Sequence, residues 1–432
     1  MTERDTVVGV AGMTHLGLVS ASGIAGAGFK TICYDGDAAL VERLKKNELP
    51  VLEPDLDTLV QNNGSNQVFT SDLDSLAQCD VVYIAPDIST DDEGRSDVSV
   101  ISGLIDAVSG ILAPDAVMVV LSQVEPGFTR NLAHPEPERR YYQVETLVFG
   151  RAVERATQPE RYIVGSADPD VPLNPHFEEV LAAFDCPILP MRYESAELAK
   201  ISINFCLVSS ISVANTLSEV CEEIGADWSE IVPALKLDRR IGEYSYLAPG
   251  LGIAGGNLER DLATIQRIGD REGTDTNVVA AWKSNSRHRR DWAARTIKKL
   301  LLDENPDATL AVWGLAYKEN THSVKNSPSL ATLAQLPTAK LQVFDPVVSA
   351  DAVQRDGVVS ASDPIDALSG ADALLILTPW PKFKKIAPLA VSEALKGKTV
   401  LDPYRVLDGS LAEDAGLHYH TLGRAAAPIN ER

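Results

Sequence analysis

The sequence predicts an α/β protein with a Rossmann-like domain at each end and a long-helix region between them. Three observations carry this prediction. Strand-like and helix-like segments alternate over residues 1–190, one long helical pattern dominates residues 191–303, and a second series of strand-like segments fills residues 304–432. Short apolar runs that alternate with helical patterns are typical of parallel sheets covered by helices. We therefore expect an N-terminal α/β domain, a central helical region and a C-terminal α/β domain with these boundaries.

The N-terminal domain begins with a strand, a turn, a helix and a second strand. "TVVGVAGM" is rich in valine, "LGLVSASGIAGAG" has small residues at helical spacing, and "FKTICYD" again has strand composition. The turn reads Gly12-Met13-Thr14-His15-Leu16-Gly17, which is G-x-G-x-x-G with threonine in place of the middle glycine. An acid, Asp35, ends the next strand about 20 residues further on, as the dinucleotide fingerprint requires.

This fingerprint predicts that the domain binds NAD. N–H groups at the start of the helix bind the pyrophosphate, and the acid accepts hydrogen bonds from the adenosine ribose, so Asp35 favours NAD over NADP. A tight strand–helix turn without a cofactor is the alternative, and Thr14 supports it because its Cβ lies where the backbone approaches the pyrophosphate. We interpret His15 as a backbone N–H donor rather than as a catalytic residue. The predicted cofactor-binding residues here are Gly12, Thr14, His15, Leu16, Gly17 and Asp35.

Composition bounds the class of protein. The chain has 432 residues, of which 45% are hydrophobic and 23% charged, which is typical of a globular protein with two or three cores. No apolar run approaches the roughly 20 residues of a membrane helix, and "MTERDTVVGV" lacks the pattern of a signal peptide, so we expect a cytoplasmic protein without a membrane partner. A net charge of −22 disfavours nucleic-acid binding.

The five cysteines also exclude some kinds of site. Cys33, Cys79, Cys186, Cys206 and Cys221 are widely spaced and include no C-x-x-C pair. This spacing argues against a disulfide framework and against a zinc site, so we expect no metal. Buried or inert thiols are the prediction for all five.

The remaining segments extend this architecture. "DVVYIAP" and "AVMVVLSQ" add strands to the first parallel sheet, and "SAELAKISINFCLVSSISVANTLSEVCEEIG" predicts a long amphipathic helix that ends before Gly225. "TLAVWGLAY", "LQVFDP", "ADALLILT" and "KTVLDPYRVLD" predict the strands of the C-terminal domain. Asp35 and Asp345 each end a strand of their domain, which suggests two nucleotide-like clefts that face each other.

A series of collinear motifs then resembles a known family. In chain order these are the dinucleotide turn, "VLEPDLD", "VETLVFG", "AELAKISIN", "LDRRIG", "PGLGIAGG", "GLAYKENTHSVKNSPSL", "VFDP" and "ADALLILTPWPKF". Together they resemble the UDP-glucose/GDP-mannose (nucleotide-sugar) 6-dehydrogenases. The resemblance implies an NAD domain, a central region that forms a homodimer, a C-terminal domain that binds the nucleotide sugar, and a role in polysaccharide biosynthesis.

One position departs from the family in a way that affects the chemistry. The family oxidises a sugar CH₂OH to a carboxylate with two molecules of NAD, and a loop cysteine holds the aldehyde as a thiohemiacetal and then a thioester. When "PGLGIAGGNLERD" is matched to the family's P-G-L-G-Y-G-G-S-C-F-P-K-D, Asn257 stands at the cysteine. A carboxamide is not a nucleophile at neutral pH, so no thioester is expected. We interpret Cys206 as a core residue rather than as a relocated nucleophile.

The other catalytic positions of the family are retained. By the resemblance, Lys200 stabilises a developing oxyanion, and Asn204 lies one helical turn later on the same face, so that both can point at one reacting oxygen. Asp261 is a candidate for positioning water or the hydroxyl proton, and Glu145 is a candidate base or sugar ligand. A solvated helix charge is the alternative for Lys200. With Asn257, these are the predicted catalytic residues.

Several predicted binding positions depart from the family. Gln123 replaces a threonine that supports water and NAD, and it follows Ser122 in "SQVEPGF"; both are predicted to contact the cofactor. "APDIS" lacks a hydroxyl expected near the cofactor, and Asp402-Pro403-Tyr404-Arg405 shifts a substrate arginine by one place. By the resemblance, Arg240, Lys318 and Lys325 are predicted to bind a pyrophosphate, and Arg240 is predicted to reach the neighbouring subunit's site. Ordinary surface charge is the alternative for these cations. The full predicted substrate set is Leu147, Arg240, Tyr246, Gly252, Gly255, Lys318 and Lys325.

These observations predict NAD-dependent oxidation of a nucleotide sugar by hydride transfer without a cysteine thioester. The product is an aldehyde or ketone after two electrons, or an acid reached through the aldehyde hydrate. A catalytically reduced or inactive homologue that binds a nucleotide sugar or NAD is the alternative, and Thr14, Gln123 and Asn257 favour it. A two-domain dehydrogenase of 3-hydroxy acids is a third interpretation, which the C-terminal domain disfavours.

Overall fold

The computed structural model describes residues 5–91, 94–253 and 257–425. The chain divides into two compact units, Met1–Ile203 and Asn204–Arg432. The boundary between them falls inside the long helix that the sequence predicts. The predicted α/β class is confirmed, since a sheet covered by helices lies in each unit.

The first unit contains an eight-stranded sheet. Its strands are β1 Val7–Ala11, β2 Lys30–Tyr34, β3 Gln67–Thr70, β4 Val81–Ile84, β5 Val117–Val120, β6 Arg140–Gln143, β7 Tyr162–Ser166 and β8 Ile188–Arg192. Their order in the sheet is β3-β2-β1-β4-β5-β6-β7-β8. All neighbours are parallel except β6 and β7, which pair antiparallel. The four strands that the sequence predicts, β1, β2, β4 and β5, are parallel as expected.

Helices cover this sheet. They are α1 His15–Gly26, α2 Ala38–Lys45, α3 Leu56–Asn63, α4 Ser99–Ile111, α5 Ala152–Thr157 and α6 Pro175–Ala182. The strand order reverses between β1 and β4, where Ala11 lies opposite both Tyr34 and Ile84. Such a reversal opens a crevice at the carboxyl ends of the strands, and ligands of open α/β sheets bind there.

The long helix, α7 Tyr193–Ile224, has 32 residues and ends before Gly225 in a left-handed conformation, as predicted. By length and composition it is apolar enough to cross a membrane, which the search of the sequence for apolar runs did not predict. Its polar side chains contact protein: Asn204 bonds Asp261, Asn215 accepts from Gly250 and Glu222 binds Arg289. All three contacts join α7 to other residues of the second unit.

The second unit contains helices and a six-stranded parallel sheet. The helices are α8 Trp228–Leu237, α9 Asn257–Glu272, α10 Asn277–Arg290, α11 Trp292–Ile297, α12 Pro328–Ala334, α13 Pro388–Ala394 and α14 Gly409–Asp414. The strands are β9 Thr309–Trp313, β10 Lys340–Phe344, β11 Val358–Ser360, β12 Ala373–Ile376, β13 Thr399–Leu401 and β14 His418–His420, in the order β11-β10-β9-β12-β13-β14. Along β9, Leu310 and Val312 enter one core while Ala311 and Trp313 enter the other, because successive side chains point to opposite faces.

Candidate active site

The turn after β1 has the geometry that a dinucleotide requires. Gly12 has a φ of +96°, which a residue with a Cβ rarely adopts. A Cβ on Gly17 would lie 1.7 Å from the carbonyl oxygen of Gly12, so only glycine permits α1 to pack this closely on the turn. The helix begins at His15, and its first N–H groups therefore face the end of β1.

Asp35 lies beside the same turn. Its Oδ2 accepts a hydrogen bond from the Met13 N–H at 2.7 Å, and its Oδ1 accepts from the Asp37 N–H at 2.9 Å. Each carboxylate oxygen has a further lone pair with which to accept from a ribose hydroxyl. The glycine turn, the start of α1 and this acid together fit an NAD molecule.

The side chain of His15 belongs to a buried cluster. Its Nε2 lies 3.1 Å from Oε2 of Glu53, and its ring stacks on Phe149 with the ring centroids 4.2 Å apart. Glu53 also accepts from the N–H groups of Gly150 and Ala152, so it joins the start of α1 to the segment that follows Glu145. This arrangement favours the interpretation of His15 as a backbone donor. Sequence reasoning missed Glu53, although it lies in the quoted motif "VLEPDLD".

Thr14 and Ser122 bond the loop that follows β4. The Thr14 hydroxyl accepts from the Asp87 N–H at 2.8 Å and lies 3.4 Å from the Ala85 carbonyl oxygen, to which it donates. The buried Ser122 hydroxyl donates to the Pro86 carbonyl oxygen at 2.6 Å. Both side chains hold loops together at the crevice, and Gln123 lies half-buried beside Ser122.

Lys200 and Glu145 form an ion pair in the first unit. The Lys200 Nζ lies 3.0 Å from Oε2 of Glu145 and 2.8 Å from the Glu145 carbonyl oxygen. The side chains are 13% and 18% exposed, so Lys200 is not the solvated helix charge of the alternative interpretation. The other oxygen of Glu145 accepts from the Leu147 N–H, which holds the carboxylate toward the lysine. A carboxylate and an ammonium group are therefore in direct contact.

A second polar cluster lies in the second unit. The Asn204 Nδ2 donates to Oδ2 of Asp261 at 2.6 Å, and the Arg260 Nε lies 3.3 Å from its Oδ1. Asp261 is 1% exposed, and a buried carboxylate requires such donors to compensate for lost hydration. Sequence reasoning missed Arg260, which carries the charge of the lysine in the family's P-K-D. The prediction that Asn204 and Lys200 point at one oxygen stays a prediction.

Asn257 is the first residue of α9, and its side chain is exposed. Gly252 and Ile253 contact α10: the Ile253 N–H donates to the Ser286 hydroxyl at 2.8 Å, and Gly252 has a φ of +78°. A Cβ on Gly252 would lie 2.4 Å from the Ser286 carbonyl oxygen, so this glycine is required by space and by conformation. The predicted Gly255 lies outside the described residues.

The predicted cations are exposed or half-exposed. The Arg240 side chain is 88% exposed, and its guanidinium donates two hydrogen bonds to the Asp238 carboxylate. The Lys318 Nζ lies 5.7 Å from the ring centroid of Tyr317, and Lys325 is exposed on the same loop. The shifted Arg405 pairs with Asp227 at 2.9 Å. The half-exposed Tyr246 lines an open cavity of about 700 Å³ with Arg405.

Burial is confirmed for three of the five cysteines and corrected for Cys206, while Cys186 is half-buried. Cys33, Cys79 and Cys221 are buried, and burial raises the pKa of Cys33 and of Cys79 to about 12, which makes these thiols poor nucleophiles. Cys206 is exposed, so its interpretation as a core residue is wrong. It follows Asn204 by two residues, or about 200° around α7, and therefore lies on the opposite side of the helix. Among the described residues there is no cluster of metal-ligating side chains.

Fold and site together define a class of protein: a Rossmann-type dehydrogenase that uses a nicotinamide dinucleotide. Comparison with known proteins supplies the family. Three domain models of one family match this chain: the NAD binding domain at residues 6–181, the central domain at 194–287 and the UDP binding domain at 311–409. The chain belongs to the UDP-glucose/GDP-mannose dehydrogenase family. NAD is its cofactor, and a nucleotide sugar is its substrate.

Individual relatives match over nearly their full length. UDP-glucose 6-dehydrogenase TuaD of Bacillus subtilis is 29% identical, with 97% of this chain and 93% of that protein covered. The UDP-glucose 6-dehydrogenase of Pseudomonas aeruginosa is 26% identical, with 97% of each covered. The structure of a UDP-glucose dehydrogenase from Pyrobaculum islandicum has a TM-score of 0.85 at 26% identity and covers 98% of this chain and 99% of that one. This likeness confirms the predicted fold along nearly the whole chain.

Proposed function

We propose that this enzyme oxidises a UDP-hexose by hydride transfer without a cysteine thioester and removes two electrons in each turnover. Two features of this chain together support the proposal: the Lys200–Glu145 ion pair is retained, and position 257 is an asparagine. Hydride removal from an alcohol requires a base and an oxyanion stabiliser, whereas oxidation of the aldehyde by the family's route requires a thiol.

The base and the stabiliser come from the first unit. As the sugar CH–OH loses its hydride, its hydroxyl proton passes to Glu145, and the Lys200 ammonium stabilises the oxyanion that develops. NAD, held by the Gly12–Gly17 turn and Asp35, supplies the hydride acceptor. The product is a carbonyl compound, because an alcohol that loses one hydride and one proton becomes a C=O group. Asp261, held by Asn204 and Arg260, is proposed to position the hydroxyl or a water molecule.

The choice of nucleotide follows the relatives. Those described above are named UDP-glucose dehydrogenases, and the family model that matches residues 311–409 is a UDP binding domain. Lys318 and Lys325 lie on the loop that follows β9 in that segment and are proposed to bind the diphosphate. UDP-glucose is therefore the first substrate to test.

We further propose that the enzyme is a homodimer. Val213, Leu217, Val220 and Ile224 are each more than 40% exposed, and their spacing of four, three and four residues places them in one stripe on α7. A second copy that covers this stripe would bury an apolar face, and the exposed Arg240 is proposed to reach into that copy's site. A cytoplasmic location and a role in polysaccharide biosynthesis stay predictions.

The decisive experiment is the ratio of NADH formed to sugar consumed. Purified enzyme is incubated with NAD and a panel of UDP-, GDP- and dTDP-hexoses, and the mass of the product is recorded. We expect one NADH per sugar and a product two hydrogens lighter than the substrate. Two NADH with a carboxylate product would overturn the two-electron proposal. Tight binding of the sugar without turnover would favour the inactive homologue.

A further inference from the structure

The loop after β4 places a carboxylate at the pyrophosphate turn. Asp87 lies three residues after Ile84, and β4 lies beside β1 at the reversal of strand order. The Asp87 N–H donates to the Thr14 hydroxyl at 2.8 Å, and that hydroxyl also donates to the Ala85 carbonyl oxygen. The loop is therefore tied to the turn by the residue that replaces the middle glycine of the fingerprint.

The Asp87 side chain faces the start of α1. Its Oδ2 lies 3.5 Å from the Leu16 N–H, which is in the first turn of the helix. The first N–H groups of a helix have no acceptor within the helix, and they are the donors that a dinucleotide fingerprint offers to phosphate. A neighbouring donor, the Met13 N–H, is already bonded to Asp35. The protein's own carboxylate therefore lies where an anionic ligand would accept its hydrogen bonds.

We propose that Asp87, positioned by Thr14, competes with the cofactor's pyrophosphate for the start of α1 and sets a low affinity for NAD and NADH. Binding requires either that the carboxylate leaves the helix N-terminus or that two anions share it, and both reduce the net attraction. Asp87 is exposed, so it can move into solvent, and the effect is a lower affinity rather than a blocked site. NAD and NADH carry the same pyrophosphate, so both are affected alike.

The test is the Asp87→Asn variant, with ligand affinity as the readout. NADH binding is followed by nicotinamide fluorescence, and ADP-ribose and adenosine binding by calorimetry, in the absence of sugar. We expect Asp87→Asn to tighten NADH and ADP-ribose on the order of fivefold and to leave adenosine unchanged, because only the first two carry the pyrophosphate. The gain should shrink as salt rises from about 0.05 to about 0.5 M.

Two further variants sharpen this test. Asp106→Asn makes the same change of charge on the exposed side of α4 and should leave NADH affinity unchanged. Thr14→Val keeps the shape of the side chain but removes the hydroxyl that holds the Asp87 N–H, so it should also tighten NADH, by a smaller factor. If Asp87→Asn does not fold, Asp87→Thr provides the same comparison.

The proposal has clear opposing outcomes. Weaker NADH binding by Asp87→Asn would mean that the carboxylate is a ligand of the cofactor. An equal gain for adenosine would mean a general change in the turn, and unchanged affinity would mean that Asp87 does not compete; each overturns the proposal. None of these results depends on sugar oxidation, so failure of the two-electron chemistry is recognised separately.

Discussion

The turns after β1 and after β9 share a sequence pattern and differ in what they offer a ligand. Gly12 and Gly314 have φ values of +96° and +98°, and each turn is followed by an acid at the end of the neighbouring strand. After β1 the helix α1 starts within four residues, whereas after β9 the chain forms a long loop before the short α12. Only the first turn presents helix N–H groups directly after its strand.

The two acids differ in the same way. Asp35 accepts from two backbone N–H groups, Met13 and Asp37. Asp345 accepts from four backbone N–H groups and from the indole of Trp380; the backbone donors are Leu315, Ala316, Val347 and Val348. A carboxylate has about four lone-pair sites, so Asp345 is saturated by donors from three separate segments of the second unit. The predicted likeness of two clefts therefore does not extend to the acids: one is open to a ribose and the other holds these segments together.

The largest predicted effect concerns the chemistry of the first unit. Lys200→Ala should lower the rate of NADH formation by about 10³-fold or more, because it removes the proposed stabiliser of the oxyanion. Binding of UDP-glucose should be retained, since the UDP binding segment lies in the second unit. Steady-state NADH absorbance and calorimetry with UDP-glucose measure the two.

A surface lysine provides the control for that variant. Lys45 on α2 forms an exposed ion pair with Glu42, and such a pair contributes little to the stability of the fold. Lys45→Ala should therefore retain full activity. An active Lys200→Ala enzyme would show that the Lys200–Glu145 pair is not catalytic.

Substitution of the two acids should have different main effects, on stability for Asp345 and on NAD affinity for Asp35. Asp345→Asn should lower the free energy of unfolding by about 2–4 kcal/mol, because a carboxamide leaves several N–H donors unpaired. Asp35→Asn should weaken NAD binding by about tenfold, with a smaller loss of stability, because fewer loop contacts depend on it. Urea unfolding and NADH titration of both variants separate the roles. If Asp345→Asn weakened NADH and left stability intact, the distinction between an open and a saturated acid would fail.

The loop of the second unit gives a prediction about the product. Asn257→Cys should raise the ratio of NADH to sugar above one and give some carboxylate, because a thiol at the start of α9 can hold the aldehyde covalently. The amount of acid is measured by mass spectrometry, with Asn257→Ser as a control that lacks the thiol. If both variants formed only the aldehyde or ketone and no carboxylate, other residues, and not position 257 alone, would limit the extent of oxidation.

The smallest predicted effect is on the pH dependence of stability. Burial raises the pKa of Glu197 on α7 above its usual 4.5, although its carboxylate accepts from the N–H groups of Gly127 and Thr129. The folded chain therefore keeps a proton that the unfolded chain has lost, so stability falls as pH rises from 4.5 through the folded pKa. Glu197→Gln should flatten this fall in urea unfolding.

Glu194 on the same helix provides a control of opposite sign. Its bond to Arg130 lowers its pKa, so its contribution is present above 4.5 and is lost as pH falls. Glu194→Gln should therefore change only the acid side of the stability profile. A Glu197→Gln profile parallel to the unmodified enzyme would show that Glu197 does not titrate in this range.

Much of the fold could be predicted because it depends on local patterns. α7 with its end at Gly225 and the Gly12–Gly17 turn follow from periodicity and from the conformations that glycine permits, as do strands β1, β2, β4, β5, β9, β10, β12 and β13; the sequence did not predict the other strands. The antiparallel pairing of β6 with β7 and the exposure of Cys206 could not be predicted, because each depends on which distant segment packs against the residue. A helical apolar pattern does not say which part of a long helix is covered.

By itself, the sequence determined the α/β class, the dinucleotide turn, and the absence of a nucleophile at position 257, because these depend on residue type and spacing. Only the tertiary structure decided that Glu53 holds His15, that Asp345 is saturated while Asp35 is open, and that Asp87 lies at the start of α1. These contacts join residues about 20 to 70 positions apart. Spacing along a chain sets what a segment can form, whereas the packing of separate segments decides which donors and charges remain available to a ligand.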